Sequence, residues 1–503
     1  MKRLIFAFTA MISMTVEAQN ITDAVRYSTT DLNGTARYRA MSGAFGALGG
    51  DLSSLNLNPA GSAVFLSSFA SISLNVENSN NDVSFMNGYN SSSDSNVDLG
   101  QAGAVFIFNN RNENANWKKF SLGFNFNKSS SFNNTYSARG NNPHSIDQYF
   151  LAYANGTPVE YLIPYRNESD GEAYARLGET LGFGAQQAYL GLWGGVIGVD
   201  NPNNLPESDP AFLELDSYSS ILSPGTYDQI YNYTATGLNG KLSFNFASQY
   251  QDFLYLGINL NSHFINYERM TSIDEENLQA PDEYVYFEDQ LNTLGSGFSL
   301  QLGALAKIGN NVRAGLAYES PTWYTISEET SQYIETDIDY VEPNIVNIYP
   351  DYKLQTPASY TGSLAYLFGA SALISFDYTY KDYSTTKFKP TDDPAFMEQN
   401  NIISNELGGA SKFRLGGEYR IQNWSLRGGY RFEETPYANE LPMGDLEGYS
   451  AGIGYSFGSI KIDFAYDHSS RKTNPKLYQA GLTDRMGISR DNSNYVLTIG
   501  FGL

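Results

Sequence analysis

Residues 411–433 read SKFRLGGEYRIQNWSLRGGYRFE, and two kinds of side chain alternate along most of this stretch. A period of two residues is typical of a β-strand, because successive side chains point to opposite faces. The alternation breaks at Asn423 and then resumes, which predicts two antiparallel strands joined by a tight turn. One face carries the large apolar residues Phe413, Leu415, Tyr419, Ile421, Trp424, Leu426, Tyr430 and Phe432, and the other carries Lys412, Arg414, Glu418, Arg420, Ser425, Arg427, Arg431 and Glu433.

The same alternation recurs along the chain and predicts fourteen strands. In the last of them, large apolar residues from Tyr495 to Leu503 alternate with Val496, Thr498 and two glycines. The predicted strands cover residues 69–78, 97–109, 118–133, 236–250, 253–270, 291–309, 311–327, 356–369, 371–385, 411–422, 424–435, 447–458, 460–470 and 494–502.

The connections between these strands distinguish two all-β folds that share the alternation. Short turns join strands 2–3, 4–5, 6–7, 8–9, 10–11 and 12–13, whereas every other connection is longer and one reaches about a hundred residues. A soluble sandwich has no reason to sort its loops in this way, but outer-membrane barrels combine short periplasmic turns with long extracellular loops. We therefore predict an all-β fold, a 14-stranded antiparallel transmembrane β-barrel over residues 67–503, with a long extracellular loop at about 134–235.

The beginning of the chain predicts export. Lys2 and Arg3 precede the apolar run 4–16, and Val16-Glu17-Ala18 resembles a cleavage site, so residues 1–18 are predicted to be a signal peptide. The net charge of −23 argues against nucleic-acid binding. The absence of cysteine excludes disulfides, thiol catalysis and cysteine-ligated metals. The signal peptide together with the barrel pattern predicts a location in the bacterial outer membrane.

Residues 19–66 precede the first strand, and we call them the N-terminal segment. Their second half includes GALGGDLSSLNLNPAGSAVF (46–65), which is too apolar for a solvated linker and too rich in glycine for a strand. A fourteen-stranded lumen is too wide for wall side chains alone to fill, so we predict that this segment is a plug inside the barrel. We expect Phe45, Leu48, Leu52 and Leu55 to form part of a ligand pocket and Asn58-Pro59-Ala60 to lie near the base of strands 1 to 3.

A signal peptide followed by RYRAMSGAFGALGGD (37–51) and the tripeptide Asn58-Pro59-Ala60 resembles the N-terminal hatch of the FadL-type outer-membrane transporters for long-chain fatty acids and other hydrophobic compounds. The tripeptide matches the NPA motif of that family. The resemblance implies diffusion of a hydrophobic ligand through sites in the barrel and sideways into the membrane, beside a kinked third strand. It implies no energy-coupling cofactor. The longest loop here follows strand 3, so the loop residues of the family cannot be transferred.

The third strand carries an interruption of its apolar face. Phe120, Leu122, Phe124 and Phe126 alternate regularly, and then Lys128 and Ser130 occupy the same face. Either the strand has reached the headgroup region or a bulge opens a lateral gap, and the sequence leaves both interpretations open.

The long loop holds an apolar cluster at residues 189–197. Such a cluster marks either a surface that captures ligand or a cap that packs on itself over the barrel mouth. The candidate residues for capture are Leu190, Leu192, Trp193, Val196 and Ile197.

The sequence contains little that would indicate a catalytic site or a metal site. Gly448-Tyr449-Ser450-Ala451-Gly452 matches G-x-S-x-G, but it lies inside a predicted strand and not at a strand-to-helix turn. The three histidines, at 144, 263 and 468, assemble no catalytic group with it. The acidic run from Glu328 to Glu342 is interpreted as solvated charge rather than a cation site. We predict no catalytic residues, no metal and no cofactor, and we expect the luminal charges of the wall to form ion pairs that hold the wall to the N-terminal segment.

Three functions remain. Passive uptake of hydrophobic molecules such as long-chain fatty acids, with lateral release into the membrane, fits the predicted plug and the apolar outer loop. The alternatives are a general porin or structural or adhesive barrel, and an outer-membrane hydrolase. The expected partners are a hydrophobic ligand, outer-membrane lipids and, through the C-terminal strand, the barrel-assembly machinery, and a monomer is expected.

Overall fold

The computed structural model describes residues 20–112, 114–439 and 441–503. The predicted signal peptide lies outside the described residues. Fourteen antiparallel strands form the wall. They are β1 Phe69–Phe85, β2 Gly88–Asn109, β3 Trp117–Ser131 with its continuation Asn134–Asn142, β4 Tyr227–Tyr250, β5 Leu254–Asn277, β6 Tyr284–Ile308, β7 Val312–Glu319 with its continuation Trp323–Thr336, β8 Tyr352–Gln355 with its continuation Ser359–Phe368, β9 Ala372–Asp382, β10 Gly409–Ile421, β11 Trp424–Glu433, β12 Met443–Ser456, β13 Ile460–Thr473 and β14 Gly487–Gly502.

The wall closes on itself, as predicted. β14 pairs with β1 from Phe69↔Gly502 to Ser84↔Gly487, and with β13 on its other side. Closure leaves no open sheet edge between the first and last strands, which a structure in lipid requires. The alternation of the sequence becomes an alternation of exposure, since Leu497 is 44% exposed and its neighbour Thr498 is 4% exposed. The predicted all-β barrel of fourteen strands is confirmed.

The connections are sorted as predicted with one exception, because β1 and β2 extend so far that only residues 86–87 join them. The turns after β2, β4, β6, β8, β10 and β12 are short, and all lie at one end of the barrel, which we call the short-turn end. At the opposite, long-loop end the strands extend further than the sequence suggested, so the long loop spans residues 143–226 and not 134–235. Backbone pairing continues there with polar side chains on both faces, because the apolar alternation is needed only where a face meets lipid.

Helices lie at the N-terminus and in the loops. The N-terminal segment contains α1 Ile21–Ser28, α2 Ala36–Ala40 and two 3₁₀ turns, Leu52–Asn56 and Pro59–Val64. Asn20 caps α1 in a capping box with Asp23. Among the described residues, no helix has the length and apolar character needed to cross a membrane. The loop helices are α3 Asp147–Ala154, α4 Val159–Leu162, α5 Asp170–Leu181, α6 Phe183–Trp193, α7 Pro210–Leu213 and α8 Pro394–Glu406, with a 3₁₀ turn at Tyr383–Thr385 and short strands at Ile197–Val199, Tyr218–Ser220, Tyr340–Val341, Asn347–Ile348 and Lys387–Lys389.

Candidate functional site

The N-terminal segment contacts inward-facing side chains around the wall. Its first helix, α1, packs into an apolar cluster with Phe132, Tyr267 and Phe388. Its second helix, α2, lies against β11 to β14, and its second 3₁₀ turn lies against β3 to β6. The segment therefore touches opposite sides of the lumen.

Asn58-Pro59-Ala60 is fixed by hydrogen bonds of its own and of the wall. The Asn58 Oδ1 atom accepts a hydrogen bond from the Ala60 amide at 3.1 Å, and its Nδ2 atom donates to the Ala304 carbonyl on β6 at 3.0 Å. The Asn245 side chain on β4 donates to the Pro59 carbonyl at 2.9 Å. The tripeptide thus lies at the base of β4 to β6, and the expectation of strands 1 to 3 is wrong.

Two wall glycines provide the space for this tripeptide. A Cβ atom on Gly303 would lie 2.1 Å from the Asn58 Oδ1 atom, and one on Gly257 would lie 2.4 Å from the Ala60 nitrogen. Contacts this short are excluded for real Cβ atoms, so only glycine permits the tripeptide to approach these strands.

Ion pairs join the segment to the other side of the wall. The buried Arg39 guanidinium donates to both oxygens of Asp467 on β13, at 2.8 and 3.0 Å. Arg37 lies 2.9 Å from Glu418 on β10, which also accepts from Arg427 at 2.7 Å. Burial opposes the charge of Arg37, but Glu418 outweighs this effect and holds the pKa of the guanidinium above its usual value. The expected link between wall and segment is thus formed at Glu418 and Asp467, whereas Lys412, Arg427, Arg431 and Glu433 pair within the wall.

The four apolar candidates of the segment are fully packed. Phe45 and Leu48 belong to a cluster with Tyr38 and Met41, and Leu52 and Leu55 belong to one with Phe65 and Val105. Their exposed fractions do not exceed 3%. In this state the side chains fill the contact between segment and wall, and a ligand would reach them only if the segment moved.

A cavity of about 120 Å³ lies beside α1 in the lumen, and we call it the luminal cavity. The alternation of the sequence places Lys412 and Arg414, among others, on the inward face of the wall, but it does not predict the cavity. The Lys381 ammonium donates to the Ser28 carbonyl at 2.7 Å, and the Arg414 guanidinium donates to Thr379 at 3.5 Å. Its polar lining includes Ser28, Asp31, Asn56, Asn127, Lys241, His263, Glu319, Lys381, Lys412 and Arg414.

These basic residues differ in their partners. Lys412 pairs with Glu433 at 2.7 Å, and Lys241 lies 3.7 Å from Glu319. Within the described part of the chain, Lys381 and Arg414 have no carboxylate within 4.0 Å. Two cationic groups of the luminal cavity are therefore without a direct ion pair, in a lining that also includes the carboxylates Asp31 and Glu319.

The wall is interrupted between β2 and β3. Their pairing runs from Asn109↔Lys119 to Gln101↔Asn127 and ends there. Beyond this point the register of β3 against β4 shifts between Lys128 and Ser130, and the continuation Asn134–Asn142 pairs with β4. Residues 88–99 of β2 lie beside residues 128–142 without a backbone ladder and are joined to them by side-chain hydrogen bonds. We call this unpaired part of the wall the strand 2–3 gap.

The gap decides between the two interpretations of Lys128. Phe120, Leu122 and Phe124 are exposed on the outer face, as expected, whereas Lys128 is only 2% exposed. The register shift turns the lysine away from the outer face and into the barrel. The interruption is therefore a bulge and not the arrival of the strand at the headgroups.

The apolar cluster of the long loop packs inward. Leu190, Val196 and Ile197 are buried in a core with Phe150 and with two wall residues, Phe287 and Ile334. Leu192 is partly buried at the edge of this core. Trp193 is 39% exposed, and its Nε1 atom donates to the Leu162 carbonyl at 2.9 Å.

Ser450 and the three histidines, which were considered as catalytic residues, form hydrogen bonds or close polar contacts with other parts of the protein. The Ser450 hydroxyl donates to the Ala40 carbonyl at 3.0 Å. His263 lies 2.9 Å from Ser299, His468 lies 3.1 Å from Ser493, and His144 lies 3.0 Å from Asp484. In the acidic run, Glu328 accepts from Tyr352 at 2.9 Å. No cluster of three or more potential metal ligands occurs among residues 20–112, 114–439 and 441–503.

Solved structures share this fold along nearly the whole chain. A Pseudomonas aeruginosa FadL homologue has a TM-score of 0.56 at 11% identity, with 94% of this chain and 99% of that chain covered. The monoaromatic hydrocarbon channel CymD has a TM-score of 0.51 at 12% identity, with 94% and 98% covered. The Pseudomonas putida toluene transporter TodX has a TM-score of 0.50 at 15% identity, with 95% and 100% covered. At these identities the likeness shows the fold alone.

The sequence itself carries a family signature. A comparison with curated proteins gives no match. The family model described as outer membrane protein transport protein (OMPP1/FadL/TodX) matches residues 246–502, which is just over half of the chain. The protein therefore belongs to the OMPP1/FadL/TodX family of outer-membrane transport proteins, whose members are transport channels and not enzymes.

Proposed function

We propose that this protein takes up hydrophobic molecules that carry an acidic head group, such as long-chain fatty acids, and releases them sideways into the outer membrane. The observation that carries the proposal is the strand 2–3 gap beside a lumen crossed by the N-terminal segment. Because the N-terminal segment blocks the path to the short-turn end, a ligand in the lumen leaves sideways through the wall. The names of two structural neighbours, a toluene transporter and a monoaromatic hydrocarbon channel, support a hydrophobic cargo.

Capture takes place at the long-loop end. Of the five candidate residues in this loop, Trp193 and Leu192 remain accessible at the edge of the apolar core. Leu190, Val196 and Ile197 hold that edge in place from within. An exposed apolar edge above a pore is a suitable first contact for a molecule that leaves water.

The ligand then rests in the lumen. Its acidic group is received by the luminal cavity, where Lys381 and Arg414 have no carboxylate within 4.0 Å among the described residues. An anion placed there would compensate both charges. Displacement of residues 19–66, which act as the plug, exposes Phe45, Leu48, Leu52 and Leu55 to its apolar tail. Asn58-Pro59-Ala60 remains attached to β4 to β6 as the hinge of this movement.

Release follows the strand 2–3 gap. At its upper part, the guanidinium of Arg490 on β14 donates to the Asn133 carbonyl at 2.8 Å. The contacts from β1 and β2 are neutral hydrogen bonds, between the Asn81 and Asn134 side chains at 2.9 Å and from Ser92 to the Thr135 carbonyl at 2.9 Å. Such bonds are worth about 0.5–1.5 kcal/mol each, so parting these strands costs less than parting a paired ladder.

Assembly follows the usual course for such barrels. The barrel-assembly machinery recognises the C-terminal strand, and the closed wall works as a monomer. The mature chain is divided into the plug, 19–66, and the barrel, 67–503.

A reversible cross-link tests the lateral route. The chain contains no cysteine, so Ser92→Cys with Asn134→Cys introduces a single pair across the gap. The oxidised variant is expected to lose uptake of radiolabelled oleate, and dithiothreitol should restore it. The matched control is Glu447→Cys with Ser470→Cys, on directly facing residues of β12 and β13. Normal uptake by the oxidised gap variant would rule out lateral release through this opening.

A further inference from the structure

Lys128 stands at the point where the pairing of β2 and β3 ends. Its side chain is 3% exposed, although it lies in β3 in register with the residues that face lipid. Its ammonium lies 2.6 Å from the Asp98 carboxylate and 3.4 Å from the Glu77 carboxylate. A buried ammonium is costly unless it is paired, so these contacts decide where Lys128 is held.

The three charged groups belong to three different wall strands. Glu77 lies on β1, Asp98 on β2 and Lys128 on β3. Asp98 and Glu77 are already held together by the ladder between β1 and β2. The ammonium is thus the group that ties β3 to this pair, one residue beyond the last backbone pairing, Gln101↔Asn127.

The ion pairs of Lys128 are stronger than the hydrogen bonds that cross the gap nearer the long-loop end, but one carboxylate oxygen of Asp98 has no hydrogen-bond partner. Those contacts, from Asn90 to the Ser137 carbonyl and from Ser92 to the Thr135 carbonyl, are neutral, whereas hydrogen bonds between charged groups are about twice as strong. The second oxygen of Asp98, Oδ1, is buried without a hydrogen-bond partner. A carboxylate in this condition gains water when the strands part, which lowers the cost of opening.

We infer that Lys128, with Asp98 and Glu77, is a charged latch that holds the strand 2–3 gap closed. Closed, the ammonium joins β3 to β1 and β2 where the backbone no longer does. Open, the same three charges separate into the aqueous or headgroup environment. The inference rests on the proposed lateral route, to which it adds the residue that sets how often the gap opens.

Spin labels measure the opening directly. Ser93→Cys and Thr135→Cys place one label on each side of the gap at exposed positions. In this background, Lys128→Gln is expected to broaden the distance distribution towards longer values. We expect the open population to rise roughly tenfold in this variant, which corresponds to about 1.4 kcal/mol. Uptake of radiolabelled oleate should then rise by about the same factor. Lys128→Arg keeps the charge and should leave both quantities close to those of the parent.

Two further variants keep the inference testable. Asp98→Asn removes the nearer partner and should open the gap in the same direction, and the exchange Asp98→Lys with Lys128→Asp should close it again. Altered mobility after heating shows on a gel that each variant is a folded barrel. Unchanged distances in both Lys128→Gln and Asp98→Asn would overturn the latch. Longer distances with unchanged uptake would support the latch and count against the lateral route.

Discussion

Gly303 shows at the scale of a single residue how the wall accommodates the N-terminal segment. Its missing side chain leaves room for Asn58, and Gly257 on the neighbouring strand does the same for Ala60. Gly303→Val therefore forces the tripeptide away from β6. Overpacking of this kind costs about 1–3 kcal/mol, and we expect a lower unfolding temperature and faster proteolysis within residues 19–66.

The matched control for this substitution is Gly362→Val. Gly362 lies on β8, and a Cβ atom added to it would meet nothing within 4 Å. The control should therefore behave like the parent chain in both measurements. Equal behaviour of the two variants would show that the tripeptide does not depend on the glycine.

At the scale of an element, β14 has two tasks. It closes the wall against β1, and its outer face meets lipid through Tyr495, Leu497 and Phe501, each between 41% and 44% exposed. Arg and Lys on the lipid face destabilise barrels by about 2–4 kcal/mol at the bilayer midplane, and Asp and Glu destabilise them by less. Phe501→Asp is expected to prevent insertion, measured as loss of the heat-modifiable band from outer-membrane fractions. Ser459→Asp, in the exposed turn before β13, should assemble normally, and normal assembly of Phe501→Asp would contradict the role given to this strand.

At the scale of the whole molecule, the N-terminal segment connects strands that are distant in sequence. Deleting residues 19–42 removes Arg37 and Arg39, so Glu418 and Asp467 lose their partners from the segment. Loss of one partner of a buried pair costs about 3–5 kcal/mol, and the barrel should unfold at lower temperature while it still assembles. With the plug shortened, ion conductance in planar bilayers should rise and oleate uptake should fall.

The expected combination of results is specific to a plug. An unplugged porin would gain conductance without losing oleate uptake, because its cargo would have no need of the segment. Uptake that survives the deletion unaltered would therefore show that the plug mechanism is wrong. The Asp467→Asn variant of the deletion should recover part of the lost stability, since it no longer buries an unpaired carboxylate.

Most of the architecture could be predicted from the sequence. The side-chain period of a strand and the length of a connection are local properties, so the strand count, the outward face and the sorting of turns could be predicted from single stretches such as 411–433. The strand ends at the long-loop end could not be predicted in this way, because the strands continue to pair there although neither face is apolar. Within the site, the sequence identified Asn58 as part of a motif and Lys128 as an interruption, but it named no partner for either.

The contact partners of these residues follow from the three-dimensional fold. Arg39 contacts Asp467, Asn58 contacts Ala304, and Lys128 contacts Asp98 and Glu77. These residues are far apart in the sequence, and the two-residue period of the strands does not predict which of them meet. The luminal cavity likewise arises where inward positions of several strands face α1. The physical reason is the closure of the wall. Closing fourteen strands brings residues from both ends of the chain to one axis, and which of them meet depends on register and on the path of the N-terminal segment.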